Sequence, residues 1–233
     1  MTGLLNSVHD LRRRWKPHKE RLARETNEHP TAIRFHRACS WMSEVEQLDR
    51  VKHADQVLLY QWIAFNALYG QWDGLSHEPA ADRRCWQAFL IRILELDSDQ
   101  HVVSVLQENK PLVLCILEDE YLSQYFWQDP CPKTAGQARS GRYKGQNWFL
   151  EGRWRDILEQ LVTRIYFLRC QLTHGAATCG SRLNRSAVKH CIMMMQWLLP
   201  AFLDVWIDHG ADEDWGVMCY PPMQKASGGF SRR

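Results

Sequence analysis

The chain has 233 residues, a formal net charge of +2 and 45% hydrophobic side chains. That suffices for one sizeable core with decorations, and it excludes a polycation that coats nucleic acid indiscriminately, so any nucleic-acid site must come from local charge. The eight cysteines form no C-x-x-C pair and no zinc-ribbon spacing, and no stretch reads as the ~20 apolar residues of a membrane span; metal, cofactor and membrane are therefore all expected to be absent.

In chain order, residues 1–30 read as a basic arm. Arg12, Arg13, Arg14, Lys16, Lys19, Arg21 and Arg24 outnumber Asp10 and Glu20, and the stretch ends at Glu28-His29-Pro30. Such an arm either touches phosphates or is a solvated helical leader. It carries no apolar h-region, so a cytoplasmic protein with reduced thiols is expected. A helix opens at Thr31, with Phe35, Ala38, Trp41, Met42, Val45 and Leu48 at its period. The next, from about His53 to Tyr69, is apolar almost all round and should be central. Asn66 is its polar intruder and needs a partner. Gly70 ends it, and 71–80 reads as a loop.

Three more helical patterns follow: 81–96, then 98–108 opened by Ser98 as N-cap, then a stretch from Leu112 to Trp127 behind the first-turn proline Pro111. Residues 128–148 are rich in proline and glycine and read as a long loop. Lys133, Arg139, Arg142 and Lys144 lie in it beside Tyr143 and Trp148, with no acid between Asp129 and Glu151. Charge for a backbone and rings for bases suit single-stranded RNA; a solvated loop is the plainer reading.

Leu150, Trp154, Ile157, Leu161, Ile165, Leu168 and Leu172 then mark a long amphipathic helix stopped by Gly175. After the turn, a last helix spans about 184–207. Its run Cys191-Ile192-Met193-Met194-Met195 is too apolar for a one-sided surface helix, so it is buried or meets a second subunit. His190-Cys191 with Cys179 could be proposed as metal ligands, but a helix-borne thiol facing the core is the plainer account. Helices 150–174 and 184–207 should form an antiparallel pair. The tail should pack back through Trp215, and 227–233 reads as disordered. The fold class is all-α: a helical bundle of about six or seven helices with a basic N-terminal arm. The divisions are 1–30 (arm), 31–210 (helical domain) and 211–233 (tail).

Arg169 and His174 are the candidate catalytic residues. Arg169 offers a permanently charged fork that matches phosphate, and His174 exchanges a proton near neutral pH. Five helical residues rotate about 140°, so an ideal helix would point the two apart. His174 is expected at a fraying end, where its direction is not set by that period. Arg182 and Arg185, just beyond, would extend a positive lip.

The stretch L-R-C-Q-L-T-H-G (168–175) resembles the R-x4-6-H motif of the HEPN superfamily (higher eukaryotes and prokaryotes nucleotide-binding). Q-W-I-A-F-N-A-L-Y-G (61–70) resembles a segment of Apea-like HEPN proteins. Asp214-Trp215-Gly216 with Cys219-Tyr220-Pro221-Pro222 resembles their C-terminal tail. Where the family often has Asn after the arginine, this chain has Cys170. The resemblance implies a metal-independent endoribonuclease in which His174 moves the proton of a ribose 2′-hydroxyl and Arg169 stabilises phosphorane charge. Asn66, Cys170 and Thr173 would support that pair. It also implies a homodimer sharing one cleft and RNA as substrate. It suggests a role in toxin–antitoxin or antiviral defence, with an antitoxin or regulatory protein as a further partner. A non-catalytic HEPN module that binds RNA, a nucleotide or a protein is the alternative.

Overall fold

The computed structural model describes residues 7–26, 28–176, 178–180 and 184–221. It is all-α, with eleven α-helices among the described residues: α1 (Val8–Glu25), α2 (Pro30–Gln47), α3 (Ala54–Tyr69), α4 (Asp82–Leu96), α5 (His101–Glu108), α6 (Lys110–Glu118), α7 (Gln124–Gln128), α8 (Pro132–Arg139), α9 (Gly141–Glu151), α10 (Trp154–Thr173) and α11 (Arg185–Asp208), and a 3-10 turn at Glu120–Leu122. A two-stranded hairpin, β1 (Trp72–Asp73) and β2 (Glu78–Pro79), occupies part of the expected loop after α3.

The apolar helix α3 is central. It packs on α2 and α11, and Val57, Leu58, Trp62, Phe65 and Leu68 are almost wholly buried. An aromatic cluster fills the middle: Phe65 stacks on Phe202 at 5.6 Å, and Phe89 meets Phe202, Trp206 and Trp215. Helix α11 is long and apolar enough to cross a membrane by length and composition, which the sequence reading missed. Of that window, 72% is buried inside the fold against α3, α5 and its other neighbours. Met194 and Met195 lie in the core and Met193 faces outward.

Several elements depart from the sequence reading. Residues 8–25 are a folded helix, not an arm. Its stripe of Val8, Leu11, Trp15 and Leu22 is buried, and Trp15 stacks on Phe35 at 4.6 Å. Its basic residues are largely paired: Arg14 holds Asp204 and Asp208, and Arg21 holds Glu25 and Asp212. The expected loop 128–148 is mostly helix, comprising α8 and most of α9. Helix count exceeds six or seven because 98–151 breaks into short segments. Helix α5 starts at His101 rather than Ser98; Asp97 supplies the capping oxygen to the backbone N–H groups of Val102 and Val103. The long helix starts at Trp154, after Gly152 turns the chain with φ +67°, and Leu150 is 81% exposed on α9. Helix α11 packs mainly on α3 and α5 and touches α10 only thinly, so the two are not the paired hairpin expected.

The tail returns as expected through Trp215, which stacks on Trp206 at 4.2 Å with 9° between the rings. Two arginines of α2 hold it. Arg34, buried, donates to the carbonyls of Leu68 and Gly70 at the end of α3 and to those of Trp215 and Gly216 in the tail. Arg37 donates to the carbonyls of Cys219 and Tyr220. Burial lowers the Arg34 pKa to about 10, so at neutral pH it enters the core as a cation whose partners are carbonyl dipoles. Residues 222–233, including the stretch expected to be disordered, lie outside the described residues.

Candidate functional site

The last turn of α10 is closed by a complete glycine stop. The Ala176 N–H donates to the Gln171 carbonyl, the Gly175 N–H to that of Leu172, and Gly175 has φ +68°. His174 is the C-cap, and its own N–H still bonds to the Cys170 carbonyl. The end is therefore pinned rather than fraying, and the helical rotation applies to His174. The Thr173 hydroxyl donates back to the carbonyls of Arg169 and Cys170 and serves the helix end.

Arg169, half-buried, enters one cleft of about 320 Å³, lined by Asn66, Tyr69, Gln71, Asp82, Cys85, Tyr166 and Cys219 among others. Asn66 is thus half-exposed to this cleft rather than a core amide. Its side-chain oxygen would lie 2.8 Å from a Cβ on Gly70, so glycine lets that amide fold over the helix end. Asp82 accepts from the Tyr69 hydroxyl at 2.6 Å. Arg169 itself reaches only the Cys170 sulfur, at 4.0 Å, and among the described residues forms no ion pair. Asp82 shares the cleft but is bonded to Tyr69, which leaves the Arg169 fork open to a further anionic partner. The tail contributes Cys219 to this lining: Gln71 bridges to Met218, and the Cys219 thiol donates to the Gln71 carbonyl.

His174, exposed, lines a different cleft of about 520 Å³ with Gln124, Trp127, Gln128, Phe167, Cys170, Gln171, Ala176 and Asn184. The Tyr121 carbonyl accepts from both Gln171 Nε2 at 2.7 Å and Trp127 Nε1 at 2.8 Å. Asn184 Nδ2 donates to Gln171 Oε1 at 3.1 Å. This chain of bonds fixes the turn after α10 against the short helix α7. Cys170 stands between the two: it lines the His174 cleft, and its sulfur is the atom 4.0 Å from the Arg169 guanidinium. Within one copy, the two motif residues therefore face neighbouring clefts instead of one pocket.

The remaining candidates fall outside both clefts. Lys133, Arg139, Arg142 and Lys144 are all exposed on α8 and α9. Arg139 pairs with Glu120 and Arg142 with Glu118, acids that precede the stretch in sequence. Arg185 is committed to Asp55, which also accepts from the Gly180 N–H, so it anchors the turn and forms no lip. Arg182 lies outside the described residues. Sequence reasoning missed Gln171 and Trp127. The run Gln124-Tyr125-Phe126-Trp127-Gln128 held the signal, polar and aromatic at helical spacing but too short to read as an element.

One group among the described residues has ligand types that a metal ion could use. Donor atoms of Asp99, His101 and Asp208 lie within 4.8 Å of one another, far in sequence from the motif. Asp208 is already held there by Arg14, and His101 bonds to Asp208 at 3.0 Å, so internal pairing accounts for the group.

Comparison with family models, with curated proteins and with solved structures finds no match in any of the three.

Proposed function

We propose that the chain is a HEPN-type endoribonuclease that acts without a metal ion, as a homodimer. What supports this reading is Arg169: a guanidinium that forms no ion pair among the described residues, in a cleft it shares with the Tyr69-bound Asp82, five residues from an exposed imidazole at a helix C-terminus. In the reaction, the ribose 2′-oxygen bonds to the adjacent phosphorus and the bond from phosphorus to the 5′-oxygen breaks. A proton leaves the 2′-hydroxyl and another is delivered to the departing 5′-oxygen. His174 serves one of these transfers and Arg169 stabilises the charge on the phosphoryl oxygens. A two-fold axis near the end of α10 would set the arginine of one copy beside the histidine of the other. That pairing overcomes the separation of the two clefts within one copy.

That same separation favours a second reading, a non-catalytic module in which Arg169 anchors an anion. The deciding experiment incubates purified protein with labelled RNA in EDTA. Cleavage by wild type and its loss in His174→Ala support the nuclease. Equal cleavage by both overturns it. RNA binding without turnover, weakened in Arg169→Ala, supports the second reading.

A further inference from the structure

The chain has eleven tryptophans. Ten are buried or half-buried, and Trp127, 44% exposed, is the exception. It sits on α7, a five-residue helix with no buried side chain, with its ring against those of Tyr121 and Phe126. Exposure alone is ordinary for a surface ring; what marks Trp127 is its place in a cleft.

Trp127 is not loose. Its indole N–H is fixed to the Tyr121 carbonyl, the acceptor that also holds Gln171. Gln124, Trp127 and Gln128 all line the His174 cleft, the i, i+3, i+4 face of α7. The amides of Gln124 and Gln128 make no hydrogen bond among the described residues. The cleft is also lined by Phe167, Gln171 and Asn184, and Asn184 Oδ1 has no partner among the described residues. A flat ring, a second ring and several amide groups form one cleft of about 520 Å³. That volume is within the roughly 300–1,000 Å³ of small-ligand sites. A nucleobase has this chemistry: a π-face that stacks and an edge that both donates and accepts.

We infer that this cleft takes one unpaired RNA base, stacked on Trp127 with its edge on the α7 amides, and so sets the attached ribose-phosphate beside His174. The substrate is thereby single-stranded at that nucleotide, because a base inside a duplex offers neither free face nor free edge. The inference rests on the RNA reading of the site, but it concerns binding and is separable from cleavage.

The test measures binding of a fluorescein-labelled ten-nucleotide 2′-O-methyl RNA, which has no free 2′-hydroxyl to attack and so stays intact. Trp127→Ala should weaken binding roughly 5- to 150-fold, the range of a lost base–aromatic stack. Trp127→Phe should keep most of the affinity. A blunt duplex and an oligomer with abasic sites should compete poorly; a free mononucleotide that competes as well as the strand would assign the cleft to nucleotides instead and overturn the RNA inference. Circular dichroism checks the fold, which α7, lacking buried residues, should not perturb. Equal affinity of wild type and Trp127→Ala, equal affinity for strand and duplex, or no binding, overturns the inference. Cleavage that needs His174 but ignores Trp127 would leave the nuclease standing without this subsite. Trp127-dependent binding with no cleavage would leave the subsite and remove the nuclease.

Discussion

The hydroxyl of Tyr69 donates to Asp82 at 2.6 Å on the wall of the cleft that Arg169 enters. Burial, and then the negative charge of Asp82, push the Tyr69 phenol well above its ordinary value, so it stays protonated in the fold. The unfolded chain ionises this tyrosine near pH 10 and the folded chain does not. The folded state then holds more protons, and stability falls as pH rises above about 10. Tyr69→Phe should cost about 1–2 kcal/mol at pH 7 through the lost bond to Asp82. The gap to wild type should close above pH 10 in urea titrations. A gap that stays constant to pH 11 would contradict this account.

Replacing His174 by alanine should lower RNA cleavage by roughly 10²–10⁴-fold, the usual contribution of a general acid or base. Because His174 is exposed, unfolding free energy should change by less than about 0.5 kcal/mol. Arg169→Lys should also fall well below wild type, since a point charge cannot replace a planar fork on phosphate. Paired cleavage and urea measurements on the same preparations check both.

Arg34→Met should destabilise the fold by about 2–5 kcal/mol. The change leaves four carbonyls, of Leu68, Gly70, Trp215 and Gly216, without their donor in a buried site. Arg34→Lys should recover only part of the loss, because one ammonium cannot span both pairs. Urea midpoints of the two variants against wild type give the comparison.

Gly141→Ala should reverse the sign expected from helix propensity. In an open helix, alanine gains up to about 1 kcal/mol over glycine. Here a Cβ would collide with the Leu117 carbonyl, a backbone atom that cannot swing aside. A loss of about 1–3 kcal/mol is expected, read from thermal or urea unfolding.

That glycine explains where sequence reading failed. Gly141 and Gly145 look like chain breakers, so 128–148 reads as loop. In the fold they let α9 approach α6; a Cβ on Gly145 would lie 2.8 Å from Leu117 and 2.9 Å from Leu114. The demand for glycine is tertiary and leaves no periodic trace. The long patterns were legible because burial imposes their period. Thus α3, the Gly175 stop and the returning Trp215 all appear where expected. Leu150 fits the stripe of α10 by spacing alone, but the turn at Gly152 removes it. In the site, Arg169 and His174 announce themselves by residue type. Their allotment to two clefts does not, because it depends on α7, the hairpin and the tail, which come from other parts of the chain.

The clasp of Arg34 and Arg37 on residues 215–220 makes the arginine cleft a joint product of distant segments. A protein trimmed after α11 would retain every residue of the R-x4-H motif and the helix that bears it. It would leave the Arg169 cleft without Cys219, and Gln71 without its bonds to the tail. Assays on shortened versions would then report the missing lining as though the motif itself were inert.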